Sequence, residues 1–108
     1  MNELGVDIEE ISRFSKKPFI KNKTFYKKIF TEDEIKYCLS KSNPYPHFTV
    51  RFCAKEATIK ALKNKKFALN KISIEIKNNI PFLKINQKRI GKVSLSHTEN
   101  IGIAIVLL

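Results

Sequence analysis

One segment restricts the fold more than any other. From about Phe48 to Lys63 the chain reads as a helix with apolar residues on two separate sides. At about 100° per residue, Phe48, Phe52, Ile59 and Leu62 form one apolar stripe. Val50, Ala54, Ala57 and Ala61 form a second, narrower one. A helix striped in this way is packed on two sides. Glu56 and Lys60 fall in one gap between the stripes, four residues apart and therefore neighbours on the helix surface. Packing on both flanks makes that gap the wall of a cleft. Arg51, Lys55 and Thr58 fall in the opposite gap.

The remaining pattern supplies what the helix packs against. Residues 3–9 predict a strand. The stretch from Phe14 to Lys28 reads as helical but poorly periodic, broken near Pro18. Thr31-Glu32-Asp33-Glu34 is a capping box, in which the Thr31 hydroxyl accepts the Glu34 amide and the Glu34 carboxylate accepts the Thr31 amide. Three acids in that first turn also complement the helix dipole, so a helix is expected over about 32–40. Asn43-Pro44-Tyr45-Pro46 reads as a loop. Ile72, Ile74 and Ile76 alternate with polar residues, Asn78-Asn79 marks a turn, and Phe82 to Ile85 complete a hairpin. Residues 93–96 and 101–108 are the closing strands. The last is apolar on both faces, with Ile101, Ile103, Ile105 and Leu107 on one and Ala104, Val106 and Leu108 on the other. A chain with few helices cannot cover both faces of a sheet, so the second is expected to pack against another subunit. The expected fold is α+β, a small antiparallel sheet packed against helices, as one domain over residues 1–108.

Composition limits the function classes. With 108 residues and 43% hydrophobic content, the chain has enough apolar material for one core. No apolar stretch approaches the roughly 18 residues of a membrane span. The N-terminal residues enter a strand pattern without a signal-peptide core, which predicts a cytoplasmic protein. Cys38 and Cys53 are expected to be reduced, buried, small apolar residues. The net charge of +11 points to an anionic partner, although 18 Lys against 3 Arg is a bias that an AT-rich genome also produces. Charge alone does not separate nucleic acid, membrane surface and an acidic protein.

Two acidic segments carry the chemistry. One is Gly5-Val6-Asp7-Ile8; the other is Phe52-Cys53-Ala54-Lys55-Glu56-Ala57-Thr58-Ile59-Lys60-Ala61. Magnesium favours one or two carboxylates, several waters and phosphate oxygens over a full protein cage. Asp7 and Glu56 would form such a sparse site if the helix crosses the strand. Helix geometry by itself favours the plainer reading of Glu56 as a surface partner of Lys60. Taken with Ser94-Leu95-Ser96-His97-Thr98, however, the two segments resemble the motifs of the holo-acyl-carrier-protein synthases, a family of 4′-phosphopantetheinyl transferases. The resemblance spans most of the chain, with three motifs in the family's order.

The resemblance implies transfer of the phosphopantetheine arm of coenzyme A to a serine of apo-acyl carrier protein. It makes Asp7 and Glu56 the magnesium ligands and Lys60 the catalytic lysine beside Glu56, and it leaves the general base open between Glu56 and a metal-bound water. It assigns Ser96, His97 and Thr98 to the coenzyme A site, with Arg51, Lys55 and Lys60 as further phosphate contacts. Arg13 completes the family's Gly-x-Asp-Ile-x-x-x-x-Arg pattern, and Lys16, Lys17 and Lys21 extend it into a docking surface for the acidic carrier protein. His47, in the expected loop, reads as structural. Family members of this length form homotrimers with sites at subunit interfaces. Two departures stand out: residues 63–70 contain no glycine where the family usually has one, and the hairpin reads Asn78-Asn79-Ile80-Pro81 in place of Asn-Gly-Lys-Pro. The rivals are a small basic RNA-binding module, which lacks the RNA-recognition consensus, and a non-catalytic carrier-binding relative. Neither nucleic acid nor membrane is an expected partner.

Overall fold

The computed structural model describes residues 2–108. Strand β1 (Leu4–Glu10) leads into a short helix α1 (Ser12–Ser15), a 3₁₀ turn at Phe19–Lys21, α2 (Lys23–Ile29) and α3 (Glu32–Leu39). Helix α4 (Pro44–Leu62) follows, then a 3₁₀ turn at Leu69–Lys71 and the strands β2 (Ile72–Lys77), β3 (Ile80–Ile85), β4 (Lys88–Arg89), β5 (Lys92–His97) and β6 (Ile101–Leu107). The fold is α+β, with one correction to the expected architecture. The strands form two antiparallel three-stranded sheets, ordered β1-β6-β5 and β2-β3-β4. The break falls at Gly91, whose φ of +58° turns the chain out of the second sheet. A Cβ there would lie 2.4 Å from the Leu107 carbonyl oxygen, so only glycine lets β5 start against β6.

Local signals account for most element ends. Both halves of the Thr31–Glu34 capping box form, at 3.2 Å and 2.9 Å. Asn78 and Asn79 both take positive φ, which two-residue hairpin turns require, and Asn86-Gln87 makes a second such turn. Residues 43–46 are a second correction, because they begin α4 and are not a loop. Asn43 caps the helix by accepting the Tyr45 amide, and Pro44 and Pro46 sit in the first turn, where amides have no partner inside the helix.

Helix α4 is buried along most of its length. Its small residues Cys53, Ala54, Ala57 and Ala61 pack with Ile72, Ile74, Leu83, Ala104 and Val106. Phe48 and Phe52 enter a second cluster with Phe14, Tyr26, Ile29, Phe30, Ile35 and Cys38. Phe14 is fully buried, and its ring meets Phe52 edge-on at 5.4 Å and Phe30 at 5.8 Å. Such pairs add about 1 kcal/mol each beyond area burial. The gap holding Arg51, Lys55 and Thr58 is buried as well, so beyond its first turn α4 is open mainly along the strip of Glu56, Ile59 and Lys60.

Helix α4 approaches β1 closely at Gly5. A Cβ on Gly5 would lie 1.8 Å from the Ala57 carbonyl oxygen and 3.2 Å from the Ala61 amide nitrogen. Both are helix backbone and cannot rotate aside. Gly5→Ala is expected to cost about 3 kcal/mol, because α4 must lift from the sheet. Denaturant unfolding checks this, and a loss below about 1 kcal/mol would mean the helix rides more loosely.

Candidate functional site

Alternation along β1 turns Gly5, Asp7 and Glu9 toward α4, and turns Leu4, Val6 and Ile8 to the outer face. Because Gly5 brings α4 so near, Asp7 meets the helix strip bearing Glu56 and Lys60. The Lys60 ammonium donates to Asp7 Oδ1 and to the Val6 carbonyl, each at 2.9 Å. Asp7 is mostly covered and Lys60 about half exposed. Burial pushes the Glu56 pKa up and the Asp7 charge pushes it further, while Arg13 and Lys60 oppose the shift. Two carboxylates thus lie close enough across the β1–α4 junction to act on each other's charge, with the Lys60 ammonium bound to Asp7.

Beside this junction the second half of α4 and the segment after it enclose a cleft of about 710 Å³. Ile59, Phe67 and Leu69 line its apolar part, and Lys60, Lys63 and Lys65 give it positive charge. Cys53 lies behind Asp7, its thiol donating to the Gly102 carbonyl at 3.6 Å. Burial and then Asp7 push that thiol to about 12, and burial does the same at Cys38, so both stay protonated and unreactive at neutral pH. Among the described residues, no three His, Cys, Asp or Glu side chains converge as a metal cluster. The Asp7–Glu56 pair suits only an ion that takes few protein ligands.

The other expected site residues separate into three groups. Ser96, His97 and Thr98 are exposed at the end of β5, on the opposite edge of the β1-β6-β5 sheet from Asp7. The Thr98 hydroxyl accepts the Asn100 and Ile101 amides and so shapes the turn into β6. Arg13 pairs with Glu9 at 2.7 Å and lies over the Phe52 ring, next to Glu56; Lys16, Lys17 and Lys21 are exposed nearby. Arg51 and Lys55 depart from expectation. Arg51 is 2% exposed, donates to the His47 carbonyl and covers the Tyr37 ring. Lys55 has no exposure, and Glu34 with two backbone carbonyls takes all its protons. Both lie in the gap that packs against α3 and β2, and Arg51 also lines a small cavity with Asp33, Glu34 and Tyr37.

His47, expected in a loop, lies on α4 near these residues. It sits in the first turn of α4, its ring 6.3 Å from His97, with Lys41 close enough to act on its charge. Burial, then Arg51 and Lys41, hold its pKa below the usual histidine value. The signal was present in Asn43-Pro44, an N-cap followed by proline at the first helical position. That pair puts His47 on the helix beside the β5 edge.

A model of the 4′-phosphopantetheinyl transferase superfamily matches residues 3–106. The holo-acyl-carrier-protein synthase of Thermodesulfovibrio yellowstonii is 42% identical over 110 aligned positions, covering 97% of this chain and 96% of that protein. Among solved structures, the holo-acyl-carrier-protein synthase of Bacillus anthracis in complex with CoA (3′,5′-ADP) is 27% identical, with a TM-score of 0.83. The match covers 98% of this chain and 94% of that one. The Helicobacter pylori synthase in complex with coenzyme A is also 27% identical, with a TM-score of 0.80 and coverage of 95% and 96%.

The electrostatics of the junction can be read directly by carboxyl-selective NMR titration. Glu56 is expected to titrate above an ordinary glutamate. Asp7→Asn removes a charge that disfavours ionisation and should lower the midpoint; Arg13→Met removes one that favours it and should raise the midpoint. Indifference to both substitutions would show that these groups do not share one site.

Proposed function

Because the chain belongs to the 4′-phosphopantetheinyl transferase superfamily, we propose that it transfers the 4′-phosphopantetheine arm of coenzyme A to a serine hydroxyl of apo-acyl carrier protein, releasing adenosine 3′,5′-bisphosphate. The observation that carries this reading is the convergence of Asp7, Glu56 and Lys60 beside a lysine-lined cleft. Phosphoryl transfer asks a protein mainly for in-line positioning and for cations where negative charge spreads.

Asp7 and Glu56 are the residues that would hold magnesium. Their mutual repulsion fits a dication, and their small donor number fits one that keeps waters. Bound there, the ion neutralises charge on the diphosphate. Lys60, now on Asp7, is placed to turn toward the transferring and leaving phosphoryl oxygens. The serine proton goes to Glu56 or to a water. Exposed Ser96, His97 and Thr98, with His47 near the His97 ring, form the second half-site for coenzyme A, and the Thr98 hydroxyl also holds their turn in place. Arg13, Lys16, Lys17 and Lys21 give the acidic carrier protein a docking face that governs encounter and specificity. We place the reaction in the cytoplasm.

The two half-sites lie on opposite edges of one sheet, and this favours a homotrimer. In a head-to-tail ring, the β1 edge of each copy meets the β5 edge of the next. The outer face of that sheet presents Leu4, Val6, Ile8, Ile101, Ile103 and Ile105, each between 38% and 66% exposed. An apolar face of this extent needs cover.

Intact-mass analysis of apo-acyl carrier protein after incubation with the chain, coenzyme A and magnesium tests the reaction. A phosphopantetheinyl gain is expected, lost with chelator and in Asp7→Ala and Glu56→Ala. Arg13→Glu should slow transfer while sparing coenzyme A binding. No gain from a folded assembly offered several carrier proteins would favour a non-catalytic carrier-binding role. Val6→Glu with Ile103→Glu should yield monomers by sedimentation and abolish transfer. An active monomer would rule out a shared site.

A further inference from the structure

The deepest charges in the molecule are not in the reaction site. Lys55 and Glu34 pair at 2.6 Å, with side chains 0% and 1% exposed. The other two protons of the ammonium go to the carbonyls of Leu69, at 3.0 Å, and Ile72. Glu34 Oε1 also accepts the Thr31 amide, and Oε2 accepts the Ile74 amide at 2.9 Å. β2 is an outer strand of its sheet, so this carboxylate supplies a partner that no neighbouring strand provides. One ion pair therefore joins α3, α4, the 3₁₀ turn at 69–71 and β2, with every donor and acceptor used.

Its position relative to the cleft gives it a further role. Segment 63–69 is the cleft wall and contributes Phe67 and Leu69 to the lining. Between Lys63 and Asn70, the hydrogen bonds from this wall to side chains or backbone of more distant residues are Lys55 to Leu69 and Asn70 to Lys27, the latter at 3.4 Å. The segment has no glycine. Its ends are held by the Lys63–Glu3 pair at 3.5 Å and by the Asn86 amide on the Lys71 carbonyl at 3.0 Å, and Phe67 and Leu69 pack against the two cores. The side-chain hydrogen bond that fixes Leu69 to α4 comes from a lysine adjacent in sequence to Glu56. The same helical turn thus carries Glu56 toward the reaction site and Lys55 toward the wall.

We propose that Lys55 and Glu34 are positioning residues for the coenzyme cleft, tying wall 63–71 to the helical turn that presents Glu56. The proposal rests on the transferase reading above. Neither residue touches substrate; they determine how often the wall stands in its binding arrangement. If release leaves the wall in place about a tenth of the time, the apparent affinity for coenzyme A falls about tenfold.

The test uses the double variant Lys55→Met with Glu34→Gln, which leaves no unpaired buried charge. Two readouts are compared with the unsubstituted protein: coenzyme A kinetics, and hydrogen exchange without coenzyme. The expected result is a KM for coenzyme A raised about tenfold with kcat little changed, the pattern of lost uniform binding. Exchange should rise within residues 64–74 and stay level in α4 and the β1-β6-β5 sheet. An unchanged KM, or an exchange increase spread over the whole molecule, overturns the proposal. Should the double variant not fold, Lys55→Gln with Glu34→Gln, a neutral pair that keeps a donor opposite an acceptor, must show the same pattern in weaker form. The exchange arm needs no transfer, so an inactive unsubstituted chain would refute the reaction and still leave the anchor decided by exchange.

Discussion

The site depends on a backbone contact. Gly5 has no side chain, so α4 settles onto β1 with its carbonyl ridge against the strand, closer than any Cβ allows. Asp7 is two residues further along the same strand face, and Glu56 and Lys60 flank Ala57 on the helix. Their encounter follows from that one close approach. A helix held a few ångströms further out would leave Asp7 without the Lys60 ammonium, and Glu56 without the neighbour that raises its pKa. Close packing and the chemistry of the strip are one constraint.

Charge is divided between the two sides of α4 by burial. On the open side, Lys60 remains half exposed and keeps access to water beside its carboxylate partner. On the closed side, Lys55 loses its hydration completely, and only a full set of three acceptors makes that tolerable. The two lysines have the same chemistry and opposite uses: one is free to change partners, and the other is fixed by having none to spare. The cleft lies between them, with a movable cation at its mouth and an immobile one behind its wall.

Features with a local cause were legible in the sequence. Thr31 and Glu34 are three residues apart, and their capping box needs nothing from the rest of the chain. Asn78-Asn79 makes its turn from its own tolerance of positive φ. The alternation of 101–108 correctly implied two apolar faces, and the structure buries Ala104 and Val106 against α4 while Ile103 and Ile105 stay outside. Where reading failed, the cause was also physical. The prolines at 44 and 46 suggested a loop, because proline breaks a helix interior; in the first turn it removes no helical bond. That error pushed the helix start past His47 and hid its place beside His97.

Sequence alone determined α3, the body of α4, the Asn78-Asn79 turn, the strip with Glu56 and Lys60, and the order of motifs that resembles the transferases. These rest on periodicity and on hydrogen bonds spanning a few residues. Tertiary structure decided the rest. It divided the strands into two sheets, because the bend at Gly91 matters only against Leu107. It buried Lys55 among its own acceptors, which lie 21, 14 and 17 residues away in the chain. It also put Asp7 and His97 on opposite sheet edges, since strand order is set by pairing across the molecule. No local pattern records the depth at which a charge is buried or the partners that meet it there, because both belong to the packed chain.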